Sequence, residues 1–173
     1  VAEIGNNHEG NFSNAIELVK AASKTGVNAV KFQTIDPENF VCSNNLDRIN
    51  QLKKFKLSNE EFTKLASFAN ELGLIFFSTP FDIQSAEFLN NIQPVFKISS
   101  GDNNFIQLIE KILHFRKPTI ISTGISEIKD IDAIYNNWLN INFRSDLALL
   151  HCVSSYPVPH NQAILGLIKY LIK

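Results

Sequence analysis

Six short apolar runs, each followed by a polar or charged residue, constrain the fold of this 173-residue chain more than any other feature. Segments with the apolar spacing of helices separate the runs, which predicts strands and helices in alternation. The runs themselves are too apolar to face water on either side, as is typical of buried parallel strands. The residues that follow them are Glu3, Lys31-Phe32-Gln33, Ser78-Thr79, Lys97-Ile98-Ser99-Ser100, Ser122-Thr123 and His151. Polar groups at the carboxyl ends of parallel strands are the usual site layout of α/β enzymes.

The same pattern predicts the individual elements. Strands are predicted at 1–4, 29–35, 74–79, 95–100, 118–123 and 147–153. Helices are predicted at 13–25, 58–72, 82–91, 104–115, 126–140 and from 161 to Lys173. Ser58 and Glu61 have the spacing of a capping box, which fixes the start of the second helix. Residues 36–57 are predicted to form a long polar connection, a type of segment that often carries function.

Two α/β architectures fit this alternation. A doubly wound sheet normally carries a G-x-G-x-x-G phosphate turn, and the sequence has none. A TIM (β/α)8 barrel instead distributes its polar groups over the ends of many strands, as here. A barrel needs eight βα units and roughly 250 residues. We therefore predict an α/β fold in which residues 1–173 form a partial barrel of about six βα units, without the seventh and eighth.

Composition excludes several kinds of partner. The formal charge of −1 gives no basis for binding nucleic acid or a membrane surface. No apolar run approaches the ~20 residues that span a bilayer, and no leader-like segment precedes the first strand. Two cysteines in unlike contexts, Cys42 and Cys152, suit a reducing compartment, so we expect a cytoplasmic protein. Because the chain starts at Val1 and contains no Met, we also expect its amino end to be incomplete.

Lys31 and Lys97 occupy the same structural position in two predicted units. Each ends a strand among hydroxyl or amide side chains, and together with Ser78, Thr79, Ser100, Ser122 and Thr123 they could form a phosphate cradle. A bound phosphate needs charge neutralisation and several hydrogen-bond donors. A single such lysine could equally extend to water without binding anything. Two in equivalent positions favour the cradle.

His151, Glu3 and Asp102 are the other candidates at strand ends. An imidazole beside carboxylates could bind a divalent metal, although one histidine does not make a site and a buried structural histidine is the simpler interpretation. Glu3 and Asp102 could act as acid and base groups or serve as hydrogen-bond anchors. His8, in the first loop, could reach the same pocket.

Six sequence blocks, in order along the chain, resemble the sialic acid synthase (N-acetylneuraminate synthase) family. One block alone is weak evidence, but six in sequence are strong. The blocks are Ala2-Glu3-Ile4-Gly5-Asn6-Asn7-His8-Glu9-Gly10, Val30-Lys31-Phe32-Gln33-Thr34, Phe77-Ser78-Thr79-Pro80-Phe81-Asp82, Lys97-Ile98-Ser99-Ser100-Gly101-Asp102, Ile121-Ser122-Thr123-Gly124 and Leu150-His151-Cys152-Val153-Ser154-Ser155-Tyr156-Pro157.

The resemblance implies a transferase that condenses phosphoenolpyruvate with an N-acetylated amino sugar, giving a nonulosonic acid and phosphate. It implies a divalent metal cofactor (Mn2+, Mg2+ or Co2+), with His151 as the first of two metal-binding histidines. Glu3 resembles the carboxylate that handles water, and Asp102 stands where some members carry Glu. Gln33 resembles a polar group of the pocket. The residues that resemble phosphoenolpyruvate ligands are Lys31, Ser78, Thr79, Lys97, Ser100 and Ser126.

The resemblance also implies features beyond Lys173. These are a second metal-binding histidine, the last strands of the barrel, and a small antifreeze-like domain that reaches a partner subunit. We therefore expect a homodimer at full length, and we expect the 173 residues alone to be inactive and poorly soluble. Two alternatives stay open: a phosphoenolpyruvate-condensing synthase with another acceptor, and a truncated paralogue that binds without turnover. The sequence does not identify the amino sugar or the preferred metal.

Overall fold

The computed structural model describes residues 1–142 and 145–172. The chain divides into two compact units, Val1–Pro94 and Val95–Lys173. Each unit contains a three-stranded parallel sheet whose strands are joined through helices. The predicted α/β class with parallel strands is therefore confirmed.

The first unit is built around the sheet order β1-β2-β3. Its strands are β1 (Ala2–Gly5), β2 (Ala29–Thr34) and β3 (Ile75–Pro80), and its helices are α1 (Phe12–Ser23), α2 (Pro37–Phe40), α3 (Leu46–Phe55), α4 (Asn59–Glu71) and α5 (Ile83–Leu89). Alternate residues of β2 point to opposite sides of the sheet. Phe32 packs with Phe76 in a core that also contains Val19 of α1 and Leu65 of α4. The intervening residues of β2, Lys31 and Gln33, therefore lie on the other face.

The prediction that residues 36–57 form a connection without regular structure is wrong, because the segment contains the helices α2 and α3. Asp36 caps α2 because its side chain accepts a hydrogen bond from the backbone N–H of Glu38. Asn45 caps α3 because its side chain accepts one from the backbone N–H of Arg48. In α3 only Ile49 and Leu52 are buried. Its four apolar residues, Leu46, Ile49, Leu52 and Phe55, recur at every third position, but the polar residues between them are the majority and led to the prediction of a loop.

The second unit has the sheet order β4-β5-β6, and all three strands are parallel. Its strands are β4 (Phe96–Ile98), β5 (Thr119–Ser122) and β6 (Leu147–Leu150), and its helices are α6 (Ile106–His114), α7 (Ile128–Asn142) and α8 (Ile168–Leu171). Single 3-10 turns lie at Ser100–Asp102, His160–Gln162 and Leu165–Leu167. Phe96, Ile112 and Ile121 are fully buried in this unit.

Several element boundaries in the second unit differ from prediction. β4 and β6 end at Ile98 and Leu150, so Ser100 and His151 lie just after the strands. The helix predicted from 161 onward is replaced by 3-10 turns and the four-residue α8; its predicted end, Lys173, lies outside the described residues. The apolar side chains Ile164 and Leu165 are about two thirds exposed, so no packing stabilises a longer helix there.

No helix in the part of the chain that the structure describes is both long and apolar enough to cross a bilayer.

Candidate functional site

Lys31 is held between side chains from both neighbouring strands. Its Nζ lies 2.8 Å from Glu3 Oε2 of β1 and donates to Thr79 Oγ1 of β3 at 3.2 Å. The sheet order explains this grouping, because β2 lies between β1 and β3 and Glu3 is the register partner of Lys31. The structure therefore brings three predicted site residues together. An ammonium group has three N–H donors, so one remains for a ligand after these two contacts.

Gln33 follows two residues along β2 on the same face as Lys31, and its amide is oriented by the loop after β1. Asn6 Nδ2 donates to Gln33 Oε1 at 2.9 Å. Gln33 Oε1 thus accepts a hydrogen bond from Asn6, and the Nε2 group of Gln33 can donate to another group. Sequence reasoning did not single out Asn6; the only signal was its place in the polar run directly after the first strand.

Ser78 and Thr79 point to opposite sides of β3. Ser78 is the register partner of Phe32, whereas Thr79 is the partner of Gln33. The Ser78 hydroxyl is fully buried and lies 2.7 Å from the hydroxyl of Thr34. Its backbone N–H donates to Gln93 Oε1 at 2.7 Å. Thr79 therefore shares a face with Lys31, while the role of Ser78 as a ligand stays a prediction.

In the second unit, Lys97 is the buried middle residue of β4 rather than the strand end that the sequence predicted, and it contacts β5. Its Nζ donates to Ser122 Oγ at 2.6 Å and to the carbonyl oxygen of Ile98 at 2.7 Å. Asn103, which the sequence did not single out, donates through Nδ2 to the carbonyl oxygen of Ser122 at 3.2 Å. Lys97 and Ser122, both assigned to the predicted cradle, are thus in direct contact.

Asp102 ends the 3-10 turn that follows β4. Burial raises the pKa of the Asp102 carboxyl, and this effect exceeds the opposing influence of the Ser99 hydrogen bond and the Lys97 charge. The Ser99 hydroxyl donates to the Asp102 carboxylate. Asp102 therefore keeps its proton to a higher pH than an ordinary aspartate, which suits an acid and base group.

Ser100 and Ser154 enclose the backbone of Gly124. Ser100 Oγ accepts a hydrogen bond from the Gly124 N–H at 3.1 Å, and Ser154 Oγ donates to the Gly124 carbonyl at 2.7 Å. A Cβ at position 124 would lie 2.7 Å from Ser100 Oγ, which is closer than a real Cβ atom comes. This close approach explains why a glycine stands after the fifth strand.

His151 and Ser126 carry buried polar atoms that have no hydrogen-bond partner among the residues that the structure describes. Both ring nitrogens of His151 and the Ser126 hydroxyl are in this position. An unpartnered buried imidazole fits a metal ligand, because either nitrogen could bind a cation without losing a hydrogen bond. Within residues 1–142 and 145–172 no group of three or more His, Cys, Asp or Glu side chains could hold a metal. Among the described residues, His151 therefore fits one ligand position of a metal centre.

His8 is buried at 1% exposure and keeps the loop after β1 in place. Its Nδ1 accepts from the Gly10 N–H at 3.1 Å, and its ring lies against Phe32 with the centroids 5.9 Å apart. Burial lowers the pKa of His8, although the charge of Glu61 acts to raise it. His8 is therefore a neutral side chain within the core of the first unit, next to the loop that carries Asn6.

A cavity of about 140 Å³ opens beside Gln33 within the first unit. The β1 loop and the end of β2 contribute Asn6 and residues 33–36, α3 and the segment after it contribute residues 52 and 55–57, and α4 and α5 supply the remaining walls. Of the predicted ligand residues, Gln33 is the one that lines it.

Parallel strands that carry lysine, carboxylate and hydroxyl side chains along the strands and in the segments after them define an α/β protein with an enzyme-like polar site. The profile of the NeuB family matches residues 18–173, so the chain belongs to the NeuB family. The resemblance deduced from the sequence blocks is therefore confirmed at the level of the family.

The chain spans about half the length of the curated relatives it matches. An uncharacterized protein of Methanocaldococcus jannaschii is 42% identical over 173 residues, covering 99% of this chain and 50% of that protein. The N,N'-diacetyllegionaminic acid synthase of Campylobacter jejuni is 30% identical over 186 residues, covering 99% of this chain and 56% of the synthase. The crystal structure of an N-acetylneuraminic acid (sialic acid) synthetase from Leptospira borgpetersenii superimposes with a TM-score of 0.91 at 31% identity, covering 98% of this chain and 59% of that one.

Proposed function

We propose that this protein takes part in the condensation of phosphoenolpyruvate with an N-acetylated amino sugar, giving a nonulosonic acid and phosphate. Family membership supports a synthase of this type, and two of the three relatives above, from Campylobacter jejuni and Leptospira borgpetersenii, are synthases of N-acetylated nonulosonic acids. We also propose that the six strands belong to a TIM (β/α)8 barrel. The observation that carries the proposal is that each unit holds a lysine of a parallel strand in contact with a hydroxyl of the neighbouring strand: Lys31 of β2 with Thr79 of β3, and Lys97 of β4 with Ser122 of β5.

The two lysines are the proposed phosphoenolpyruvate ligands of their respective units. Phosphoenolpyruvate carries a phosphate and a carboxylate, and both groups need cationic donors. Lys97 is 9% exposed, so its charge acts in a region of low dielectric constant and interacts strongly with an anion. Lys31 is partly neutralised by Glu3, which makes it the weaker anion ligand of the two.

The carboxylates supply proton transfer in the proposed reaction. A carbon–carbon bond forms between C3 of phosphoenolpyruvate and the sugar aldehyde, water adds at C2, and phosphate leaves by cleavage of its bond to C2. The adding water loses a proton, and we assign its removal to Glu3. Burial raises the pKa of Asp102, so this carboxyl is better suited to deliver a proton than an ordinary aspartate, and we assign it that role.

The unpartnered nitrogens of His151 support its role as one ligand of a divalent metal. Such a metal, when bound, supplies Lewis-acid polarisation of the aldehyde. The two free cysteines, Cys42 and Cys152, agree with the reducing cytoplasm that we propose for this reaction. A homodimer at full length remains part of the proposal.

Substitution of Lys97 tests the proposal on the chain itself. We expect Lys97→Ala to weaken phosphoenolpyruvate binding at least about tenfold, because it removes a charge-assisted hydrogen bond to the anion. Isothermal titration measures the affinity. Lys64→Ala is the matched control, since Lys64 is an exposed lysine of α4 far in sequence from Lys31 and Lys97.

The reaction is tested on the full-length gene product. Phosphate release and keto-acid formation are measured with phosphoenolpyruvate, N-acetylmannosamine and Mn2+. Equal affinity of Lys97→Ala and Lys64→Ala for phosphoenolpyruvate would remove the lysine assignment. Absence of sugar-dependent phosphate release from the full-length product would remove the proposed reaction.

A further inference from the structure

Asn103 is a buried polar side chain to which the proposed reaction assigns no role. It directly follows the 3-10 turn Ser100–Asp102 and is 4% exposed. Its Nδ2 group donates to the backbone carbonyl oxygen of Ser122 at 3.2 Å. Because a carbonyl oxygen can only accept, the nitrogen of the Asn103 amide has to face Ser122. The contact is therefore directional, and an apolar side chain of similar shape could not make it.

The register of the second sheet explains why Ser122 needs this donor. β4 ends at Ile98, which is the register partner of Ile121, whereas β5 continues to Ser122. Within the described residues, the register gives Ser122 a partner on β6, Leu150, but none on β4. The amide of Asn103 thus joins the segment after β4 to β5 one residue beyond their last strand pair.

The same Ser122 orients the ammonium group of Lys97. Ser122 Oγ accepts from Lys97 Nζ at 2.6 Å. Because the carbonyl group and the side chain of Ser122 share one Cα atom, a shift of the carbonyl changes the direction of Oγ. Asn103, Ser122 and Lys97 are all less than a tenth exposed. Water therefore does not readily replace a donor that is lost from this series of contacts.

Asn103 also follows Asp102 directly in the chain. The positive charge of Lys97 acts to lower the pKa of the Asp102 carboxyl, although burial outweighs it and the pKa is raised. Lys97 and Asp102 are thus close enough to influence each other. Since Asn103 is joined to Asp102 by a peptide bond and to Ser122 by a hydrogen bond, it links the turn that carries the carboxyl to the strand that orients the lysine.

We propose that Asn103 is a positioning residue of the second unit, which holds Ser122 so that Ser122 Oγ fixes the direction of the Lys97 ammonium. The inference rests on the proposed function, since it explains how Lys97 is prepared to bind phosphoenolpyruvate. Asn103 acts through Ser122 and Lys97, and it is assigned no contact with the substrate.

Asn103→Leu removes the donor while keeping a side chain of similar branched shape. We expect the affinity for phosphoenolpyruvate to fall about fivefold, because the ammonium remains but its direction is less fixed. This loss is smaller than the one expected for Lys97→Ala. Asn104→Leu is the matched control, since it makes the same substitution at the adjacent, exposed position. Isothermal titration measures the affinity of each variant.

A double-mutant cycle with Lys97→Ala separates positioning from a general structural defect. A residue that acts through Lys97 has little effect once Lys97 is absent. We therefore expect Asn103→Leu to change the phosphoenolpyruvate affinity of Lys97→Ala by less than about twofold. A loss of about fivefold in both backgrounds would show that Asn103 acts independently of Lys97, and the positioning role would be wrong.

The Lys97 ammonium also gives a readout that needs no ligand. A buried and hydrogen-bonded ammonium exchanges its protons slowly with water, so its 1H–15N signal can be followed by NMR and identified by its loss in Lys97→Arg. We expect Asn103→Leu to accelerate this exchange at least about fivefold, and Asn104→Leu to leave it unchanged. If circular dichroism shows that Asn103→Leu is not folded, Asn103→Ala takes its place with the same expected effects.

The two readouts distinguish failure of the positioning role from failure of the proposed function. If the wild-type chain binds phosphoenolpyruvate but Asn103→Leu equals Asn104→Leu, the positioning role is wrong and the proposed function stands. If the wild-type chain does not bind phosphoenolpyruvate, the proposed function fails and the proton exchange of Lys97 decides about Asn103. Faster exchange in Asn103→Leu then supports the positioning of Lys97, and unchanged exchange rejects it.

Discussion

Burial acts in opposite directions on the titration of two side chains, His8 and Asp102. It lowers the pKa of His8 and raises the pKa of Asp102, because in both cases the buried environment favours the neutral form. The consequences for stability differ in sign. Asp102 binds a proton in the folded state at pH values above 3.8, where the unfolded chain has released it, so acidification to that range favours folding through this group.

For His8 we predict a loss of stability on mild acidification. The unfolded chain binds a proton on His8 below about pH 6.5, while the folded chain does not until its lower pKa is reached. The contribution of His8 is therefore complete above pH 6.5 and decreases as the pH falls below it, by up to about 1.4 kcal/mol per pH unit. Urea unfolding at pH 7.5 and 5.5 measures this decrease.

His8→Asn is the variant that isolates the histidine. Its Oδ1 can accept from the Gly10 N–H in place of Nδ1, but the side chain does not titrate. The variant is expected to be less stable overall and to show a flatter pH dependence. His114→Asn serves as the control, because His114 is exposed. A wild-type pH slope retained by His8→Asn would show that another group carries it.

At the scale of elements, strong local signals predicted the structure well. The capping box of Ser58 and Glu61 is present at the start of α4, and Asp82 caps α5 as expected. Parallel strand order then explains why Lys31 meets Glu3 and Thr79. What the sequence could not provide was side-chain pairing across the β1 loop, such as Asn6 with Gln33, because this depends on the left-handed backbone at Gly5 (φ 54°) and Glu9 (φ 52°).

The loop between β1 and α1 also has a close contact with α3 that the sequence did not predict. A Cβ on Gly10 would lie 1.9 Å from the carbonyl oxygen of Lys54, and Gly10 has a φ of 75°. Gly10→Ala must therefore displace the end of α3 in addition to straining its own backbone. We expect it to lower the free energy of unfolding by about 2 to 5 kcal/mol, combining backbone strain and overpacking.

Gly26→Ala provides the comparison for Gly10→Ala in chemical denaturation. Gly26 has a similar φ of 77°, but no atom lies within 4 Å of its added Cβ. It should cost only the backbone strain of about 1–2 kcal/mol. Equal losses for the two variants would mean that the contact with Lys54 relaxes without cost.

For the whole molecule, charge and exposed apolar surface act together on association. The sequence contains 16 basic and 17 acidic residues, and its isoelectric point is near pH 6.5. Exposed apolar side chains are concentrated near the carboxyl end of the second unit. They include Tyr156 (100%), Ile164 (68%), Leu165 (65%) and Ile172 (77%). Near the isoelectric point little charge repulsion opposes contact between such surfaces.

We predict that self-association of the chain is strongest near pH 6.5 and decreases toward pH 8.5, as measured by light scattering at constant ionic strength. Ile164→Glu should reduce scattering at a fixed pH, since it places a charge among the exposed apolar residues between 156 and 172. Leu46→Glu makes the same change in charge at a site of similar exposure, 64%, in the first unit. If the exposed apolar residues between 156 and 172 drive association, Ile164→Glu must reduce scattering more than Leu46→Glu. Equal effects would assign the association to net charge alone, because the two variants differ only in where the charge lies.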